Sequence, residues 1–227
     1  MTIAGQLQKI HQQMTAAAEK CGRNPAEIAL LAVSKTVTVD KIREATAAGQ
    51  RIFGENYLQE AEEKYRQLAG LAKLHCIGHI QSNKAKIAAT IFSMVQTIDR
   101  EKIAHELNKH RQAIGKPLDA LVQVNIAGEE QKSGVKPENC ESLLRMIQEL
   151  PWLRLTGLMT IPPYSVNPED SRPFFRELRQ LANKLAAKNL FAGPRVELSM
   201  GMSGDFAVAI EEGATIIRVG TAIFGEG

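Results

Sequence analysis

Cysteine is scarce in this chain of 227 residues: Cys21, Cys76 and Cys140 are odd in number, far apart and without CxxC spacing. That excludes a disulfide framework and a structural zinc site, and buried thiols are expected. Long hydrophobic runs are lacking too, and Met1-Thr2-Ile3-Ala4-Gly5-Gln6 has no basic region followed by an apolar one. Neither a membrane span nor a secretory leader is therefore expected, and the chain reads as cytoplasmic. Charge of one sign is nowhere concentrated. The net charge is +3, Lys and Arg alternate with Glu and Asp along the helical segments, and no basic block interleaved with aromatics occurs; nucleic acid is not an expected partner. No Pro/Gly/Ser linker divides the sequence, so one domain over residues 1–227 is expected. With 44% hydrophobic and 23% charged residues, that domain has material for a sizeable core.

What is present is an alternation. After an opening amphipathic segment from Thr2 to Lys20, short apolar runs predict strands near 28–34, 51–54, 74–78, 94–98, 119–126, 153–159, 196–200 and 215–219. Between them, helical periodicity predicts helices near 39–48, 57–69, 83–92, 100–113, 138–149, 172–189 and 204–212. The spacing groups Leu58, Ala61, Tyr65 and Leu68 on one face, Leu143, Leu144 and Ile147 on another, and Phe174, Leu178, Leu181 and Leu185 on a third. Gly49, Gly70 and Gly213 stand where a left-handed residue ends a helix, and Asp99 where an N-cap is wanted. Eight strands with short helical crossovers match an α/β fold of the (β/α)8 TIM-barrel type with an extra N-terminal helix. The runner-up, an open doubly wound sheet, normally carries a glycine-rich turn after its first strand. Here Ser34-Lys35-Thr36 stands in that place, and no GxGxxG occurs.

In such a barrel the chemistry lies in the loops at the C-terminal ends of the strands. Lys35 ends the first apolar run and presents an amine at that face, either as a nucleophile toward a carbonyl or as a solvated residue at the strand edge. After the last two strands come Ser203-Gly204, at the start of a predicted helix, and Gly220-Thr221. Small residues and hydroxyls there fit a phosphate cradle, although turn geometry alone also accounts for glycines between elements. An amine and a phosphate cradle at one mouth suggest a ligand with both an aldehyde and a phosphate, such as pyridoxal 5′-phosphate. Strand parity turns Arg218 inward with Ile216 and Gly220, where it needs an acceptor: a pyridine nitrogen, or a carboxylate such as Glu197. His75 and His79 share parity but have no obvious third ligand, so no metal is expected.

Several blocks carry a family resemblance: Leu31-Ala32-Val33-Ser34-Lys35, Phe53-Gly54-Glu55-Asn56-Tyr57, the run from His75 to Lys84, Gly157-Leu158-Met159, the run from Leu198 to Asp205, and the run from Arg218 to Gly225. In order and spacing they resemble the YggS/PROSC-type pyridoxal phosphate homeostasis proteins. That family is similar to the barrel half of alanine racemases and related fold-type III decarboxylases. The resemblance implies an internal aldimine on Lys35, Arg218 at the pyridine nitrogen, and Ser199, Ser203, Gly220 and Thr221 around the phosphate. It also places Asn56 and His79 near the ring and Met202 among the cofactor-binding residues. An arginine at the ring nitrogen makes the ring a poorer electron sink. Lys132, in a Lys-Ser-Gly stretch that also matches the family, is a second amine near the mouth or an ordinary loop lysine.

The racemases continue into a β-rich domain that supplies groups to a partner subunit, whereas this chain stops at Gly227. A monomer without strong turnover is thus the expectation. The leading function is a binder of pyridoxal phosphate that serves vitamin B6 homeostasis and passes cofactor to apo-enzymes. The alternatives are a small fold-type III racemase or decarboxylase, and a cofactor-free aldolase using Lys35 on a sugar phosphate.

Overall fold

The computed structural model describes residues 2–225. An N-terminal helix, α1 (Ile3–Lys20), is capped by the Thr2 hydroxyl, which accepts the Gly5 N–H at 3.2 Å. It buries Ile3, Leu7, Ile10, Met14, Ala17 and Ala18, the one stripe that a period of 3.6 residues brings together. The chain then alternates: β1 (Ala29–Val33), α2 (Val39–Ala47), β2 (Ile52–Glu55), α3 (Leu58–Leu68), β3 (Lys73–Cys76), α4 (Ala85–Ile91), β4 (Met94–Ile98) and α5 (Glu101–Gln112). It continues through β5 (Leu118–Gln123), α6 (Pro137–Gln148), β6 (Leu153–Met159), α7 (Arg172–Ala186), β7 (Glu197–Ser199), α8 (Phe206–Glu211), β8 (Ile216–Val219) and α9 (Thr221–Phe224).

All eight strands are parallel and each pairs with the next, while β1 also pairs with β8 through Ala29↔Ile216 to Ala32↔Val219. The sheet is thus a closed (β/α)8 barrel with an additional N-terminal helix. Strands covered on both faces need apolar side chains on both, and β4 is buried at every position. Two cores result. A large one between strands and helices includes Leu30, Ala32, Phe53 and Phe175; a small one inside the barrel is built of Leu31, Met94, Leu121, Met159 and Ile216. Among the described residues no helix is long and apolar enough to cross a membrane.

The differences from the sequence expectations have local causes. β1 ends at Val33 and β5 at Gln123, because the chain leaves the ladder to form mouth loops. On α3 the third buried position is Lys64 rather than Tyr65, which is 42% exposed; an ammonium with enough buried acceptors displaces an aromatic from the barrel side. On α7 the seam is Phe175, Leu178, Ala182 and Leu185, one residue round from the expected Phe174 and Leu181, which are only partly buried. Asp99 does not cap α5, whose N-cap is Arg100; its carboxylate instead accepts from the Arg100 guanidinium at 2.5 Å. Ser203-Gly204 forms a turn before α8, which starts only at Phe206, and the short α9 after β8 is an element that the periodicity does not signal. Gly49, Gly70 and Gly213 end their helices at φ of 100°, 86° and 103°, as their positions require. Cys21 is exposed, whereas Cys76 and Cys140 are buried.

Candidate functional site

At the mouth formed by the C-terminal ends of the strands lies a cavity of about 410 Å³. That is within the size range of small-ligand sites. Its wall is apolar at Val33, Ile77, Ile161 and Pro163 and polar at a few points supplied by different loops.

Lys35 stands in a turn two residues past β1, with its side chain on the cavity wall. Asn56 comes directly after β2. Gly78 allows it to sit there: a Cβ on Gly78 would lie 2.1 Å from the Asn56 carbonyl oxygen, so only glycine lets the two loops approach. The Asn56 Oδ1 atom is buried and has no hydrogen-bond partner among the described residues.

Arg218 reaches the cavity from β8 and is 4% exposed. One terminal nitrogen donates to Ser199 Oγ at 2.7 Å and the other to the Thr160 carbonyl at 2.8 Å. None of the ion pairs among the described residues includes Arg218, and Glu197 instead faces Arg195 and Thr215. Burial lowers the guanidinium pKa to about 10, partly opposed by the field of Asp205, so the group stays charged at neutral pH. Its remaining N–H groups have no acceptor among the described residues and can meet whatever enters.

Behind Arg218 a directional chain of hydrogen bonds crosses the barrel. A guanidinium only donates, so Ser199 Oγ accepts from it and must send its own proton onward, to Gln96 Oε1 at 2.6 Å. The Gln96 amide nitrogen then faces His75 Nδ1 at 3.1 Å. For His75 to accept there it must be neutral, and its burial lowers the imidazole pKa to about 4.

The opposite side of the cavity is made by the loops after β7 and β8. Ser203 and Thr221 bring their hydroxyls within 3.4 Å of one another. Asp205 shapes the first loop: one carboxylate oxygen accepts the Met202 N–H at 2.7 Å and the other the Ser171 hydroxyl at 2.9 Å. Gly220 packs against β1, where an added Cβ would come 3.2 Å from Val33 Cβ. The N–H groups of Ser203, Gly204, Gly220 and Thr221 have no protein acceptor among the described residues, which leaves a small surface of donors beside two hydroxyls.

Residues 6–227 match the family model described as "Alanine racemase, N-terminal domain". Over 231 aligned residues the chain is 46% identical to the pyridoxal phosphate homeostasis protein of Vibrio cholerae serotype O1, covering 99% of this chain and 96% of that protein. The chain belongs to the pyridoxal phosphate homeostasis protein family. It is also 44% identical to the member from Aquifex aeolicus, over 100% of this chain and 99% of the other. PipY of Synechococcus elongatus PCC7942, solved with PLP bound, superposes with a TM-score of 0.86 at 34% identity, covering 99% of this chain and 100% of its own.

Of the residues that the family resemblance groups around a ligand, Lys35, Asn56, Met202, Ser203, Arg218, Gly220 and Thr221 share the one cavity. Ser199 does not line it. Fully buried, it holds Arg218 from behind, because its side chain turns into the barrel rather than toward the mouth. His79 lies on an adjoining hollow that Asn56 also borders, with Nδ1 3.5 Å from Ser133 Oγ and 3.6 Å from Asp99 Oδ2. Lys132 borders the same hollow, donates to the Pro162 carbonyl at 3.2 Å and pairs with Glu129. Gln96 and Thr160 belong to the site without a motif that marks them in the sequence, and Asp205 closes one of the family blocks without a role being assigned to it. Only strand parity for Gln96, which matches that of the interior Met94, points to the interior.

Proposed function

We propose that this protein binds pyridoxal 5′-phosphate at the barrel mouth and serves its intracellular homeostasis, holding it through a Schiff base on Lys35 and handing it to apo-enzymes without strong turnover. The observation that carries this reading is that Lys35, Arg218 and the Ser203/Thr221 loops line one cavity. When bound, the cofactor supplies an aldehyde that condenses with an amine, releasing water. This chain's residues fit its other parts. The open N–H groups and hydroxyls of Ser203, Gly220 and Thr221 suit a phosphate, and the guanidinium of Arg218, in no ion pair among the described residues, suits the ring nitrogen as a donor. A buried Asn56 Oδ1 without a partner among the described residues, on a residue that lines the cavity, would be available to the cofactor as an acceptor.

What supports holding over turnover is the shortage of a second positioned acid or base. Asp205 is committed to Met202 and Ser171, and Tyr164, though on the cavity wall, is 88% exposed on a proline-rich rim loop. Ser199 takes no part at the phosphate in this reading and acts through Arg218, while His79 lines the adjoining hollow that Asn56 also borders.

The test is the mass of the borohydride-reduced protein after addition of pyridoxal phosphate, with the modified peptide located. A single adduct on Lys35, lost together with the visible band in Lys35→Ala, is the expected result; a colourless protein with no adduct overturns the reading. Incubation of the holo-protein with amino acids in deuterated water separates binder from enzyme: multiple-turnover α-proton exchange would replace the homeostasis reading with that of a racemase or decarboxylase.

A further inference from the structure

On its outer side, away from the cavity, the Lys35 turn is fastened by a second lysine. Lys64 of α3 is 5% exposed, and its three ammonium protons reach three oxygens: the Ser34 carbonyl at 2.5 Å, Glu60 Oε1 at 2.6 Å and Glu55 Oε1 at 2.9 Å. Glu60 Oε1 also accepts the Thr36 N–H at 2.7 Å, and Glu55 Oε1 accepts the Ser34 hydroxyl at 2.6 Å. The carbonyl just before Lys35 and the amide just after it are therefore both tied to one ammonium, the first directly and the second through Glu60.

At the second of those ties the backbone is strained. Thr36 has φ of 61°, a conformation that a β-branched residue rarely adopts. It costs on the order of 1–3 kcal/mol and persists only where the surroundings impose it. The ion cluster itself is a poor source of stability, since desolvation of buried charges offsets most of their attraction. Burial also pushes the Glu55 carboxyl above the usual range, and its Oε2 has no partner among the described residues. Neither Lys64 nor Glu60 lines the ligand cavity.

We propose that Lys64 and Glu60 are positioning residues that hold the Lys35 amine at the cavity by clamping the peptide groups on either side of it. The proposal rests on the reading of Lys35 as the ligand-binding amine. Glu55 fixes the ammonium of Lys64 from within the barrel wall, and Glu60 delivers the clamp to Thr36. With Glu60 truncated, Thr36 relaxes toward negative φ and the Lys35 side chain loses its direction.

Two measurements on the full chain test this, using Glu60→Ala and Glu60→Gln; the Gln side chain retains an Oε1 able to accept the same two donors. In the protein without cofactor, Glu60→Ala speeds hydrogen exchange of the Thr36 amide by about tenfold, the loss of one hydrogen bond to a charged group. Glu60→Gln restores protection. With pyridoxal phosphate and borohydride, adduct formation on Lys35 slows by about the same factor in Glu60→Ala and recovers in Glu60→Gln, with thermal midpoints recorded alongside. Unchanged exchange, or changed exchange with an unchanged rate of Lys35 modification, overturns the clamp. Absence of any adduct in the unaltered protein instead sinks the cofactor-binding reading, and the exchange measurement still decides whether the clamp holds the turn.

Discussion

Arg218 donates to Ser199 Oγ across 2.7 Å, and Ser199 in turn has one acceptor, Gln96, to satisfy. The pair fixes both the direction of the guanidinium and the sense of every hydrogen bond behind it. Ser199→Ala leaves a buried Arg218 N–H and the Gln96 carbonyl oxygen without partners, at a cost of about 1–3 kcal/mol. Denaturant unfolding reads that loss. In the same variant the visible band of the cofactor-loaded protein is expected to shift, because Arg218 is no longer aimed. Arg218→Ala retains the adduct on Lys35 but alters its spectrum more strongly, and an unaltered spectrum would mean that Arg218 faces elsewhere.

His75 makes the fold sensitive to mild acid. Its pKa falls from about 6.5 in the unfolded chain to about 4 in the fold, so between those values the unfolded state binds more protons. Stability is thus retained above pH ~6.5 and lost progressively as pH falls toward ~4, by as much as about 3 kcal/mol. Melting measured from pH 7 to 4.5 is expected to show this decline. In His75→Gln, which can still accept from Gln96, the decline becomes shallower; an unchanged slope assigns it to other groups.

The Ser203 and Thr221 hydroxyls lie 3.4 Å apart on loops from different strands. Ser203→Ala with Thr221→Ala is expected to weaken cofactor retention by about tenfold, roughly one hydrogen bond to a charged oxygen. Equilibrium dialysis of the double variant checks it, and retained affinity would move the phosphate elsewhere.

Gly78→Ala is expected to destabilise the fold by about 2 kcal/mol or more, since the new Cβ collides with the Asn56 carbonyl. Gly204→Ala provides the contrast. No atom of the described residues lies within 4 Å of its added Cβ, so the melting temperature should hardly move. Equal losses in the two variants would mean that the close approach of the β2 and β3 loops is relieved cheaply.

The barrel is legible in the sequence because its signal is repeated: each buried strand is an apolar run, and each crossover carries a helical stripe and a stop such as Gly49 or Gly213. Within the site, Lys35 and Arg218 can be named because strand ends and strand parity say where a side chain goes. What stays hidden depends on the third dimension. Ser199 resembles its neighbours in a loop that faces the ligand, yet β7 is only three residues long and its last member still points into the barrel. Lys64 reads as a solvated helix residue beside an apolar Tyr65. Glu60 is its i,i+4 neighbour on α3, but only the folded chain brings Ser34 and Glu55 around it and makes the lysine the buried one. Asp205 reads as one more loop carboxylate, whereas its partners come from Met202 and from Ser171 on another segment.

The pairing of β1 with β8 also sets when the site can exist during synthesis. Lys35 leaves the ribosome early and Arg218 late, and the seam Ala29↔Ile216 between their strands can pair only once β8 has been made. Until then the first strand has a free edge, and the early lysine has neither guanidinium nor Thr221 loop beside it. The cavity wall is therefore complete only in the closed barrel, where residues made first and last in the chain stand together.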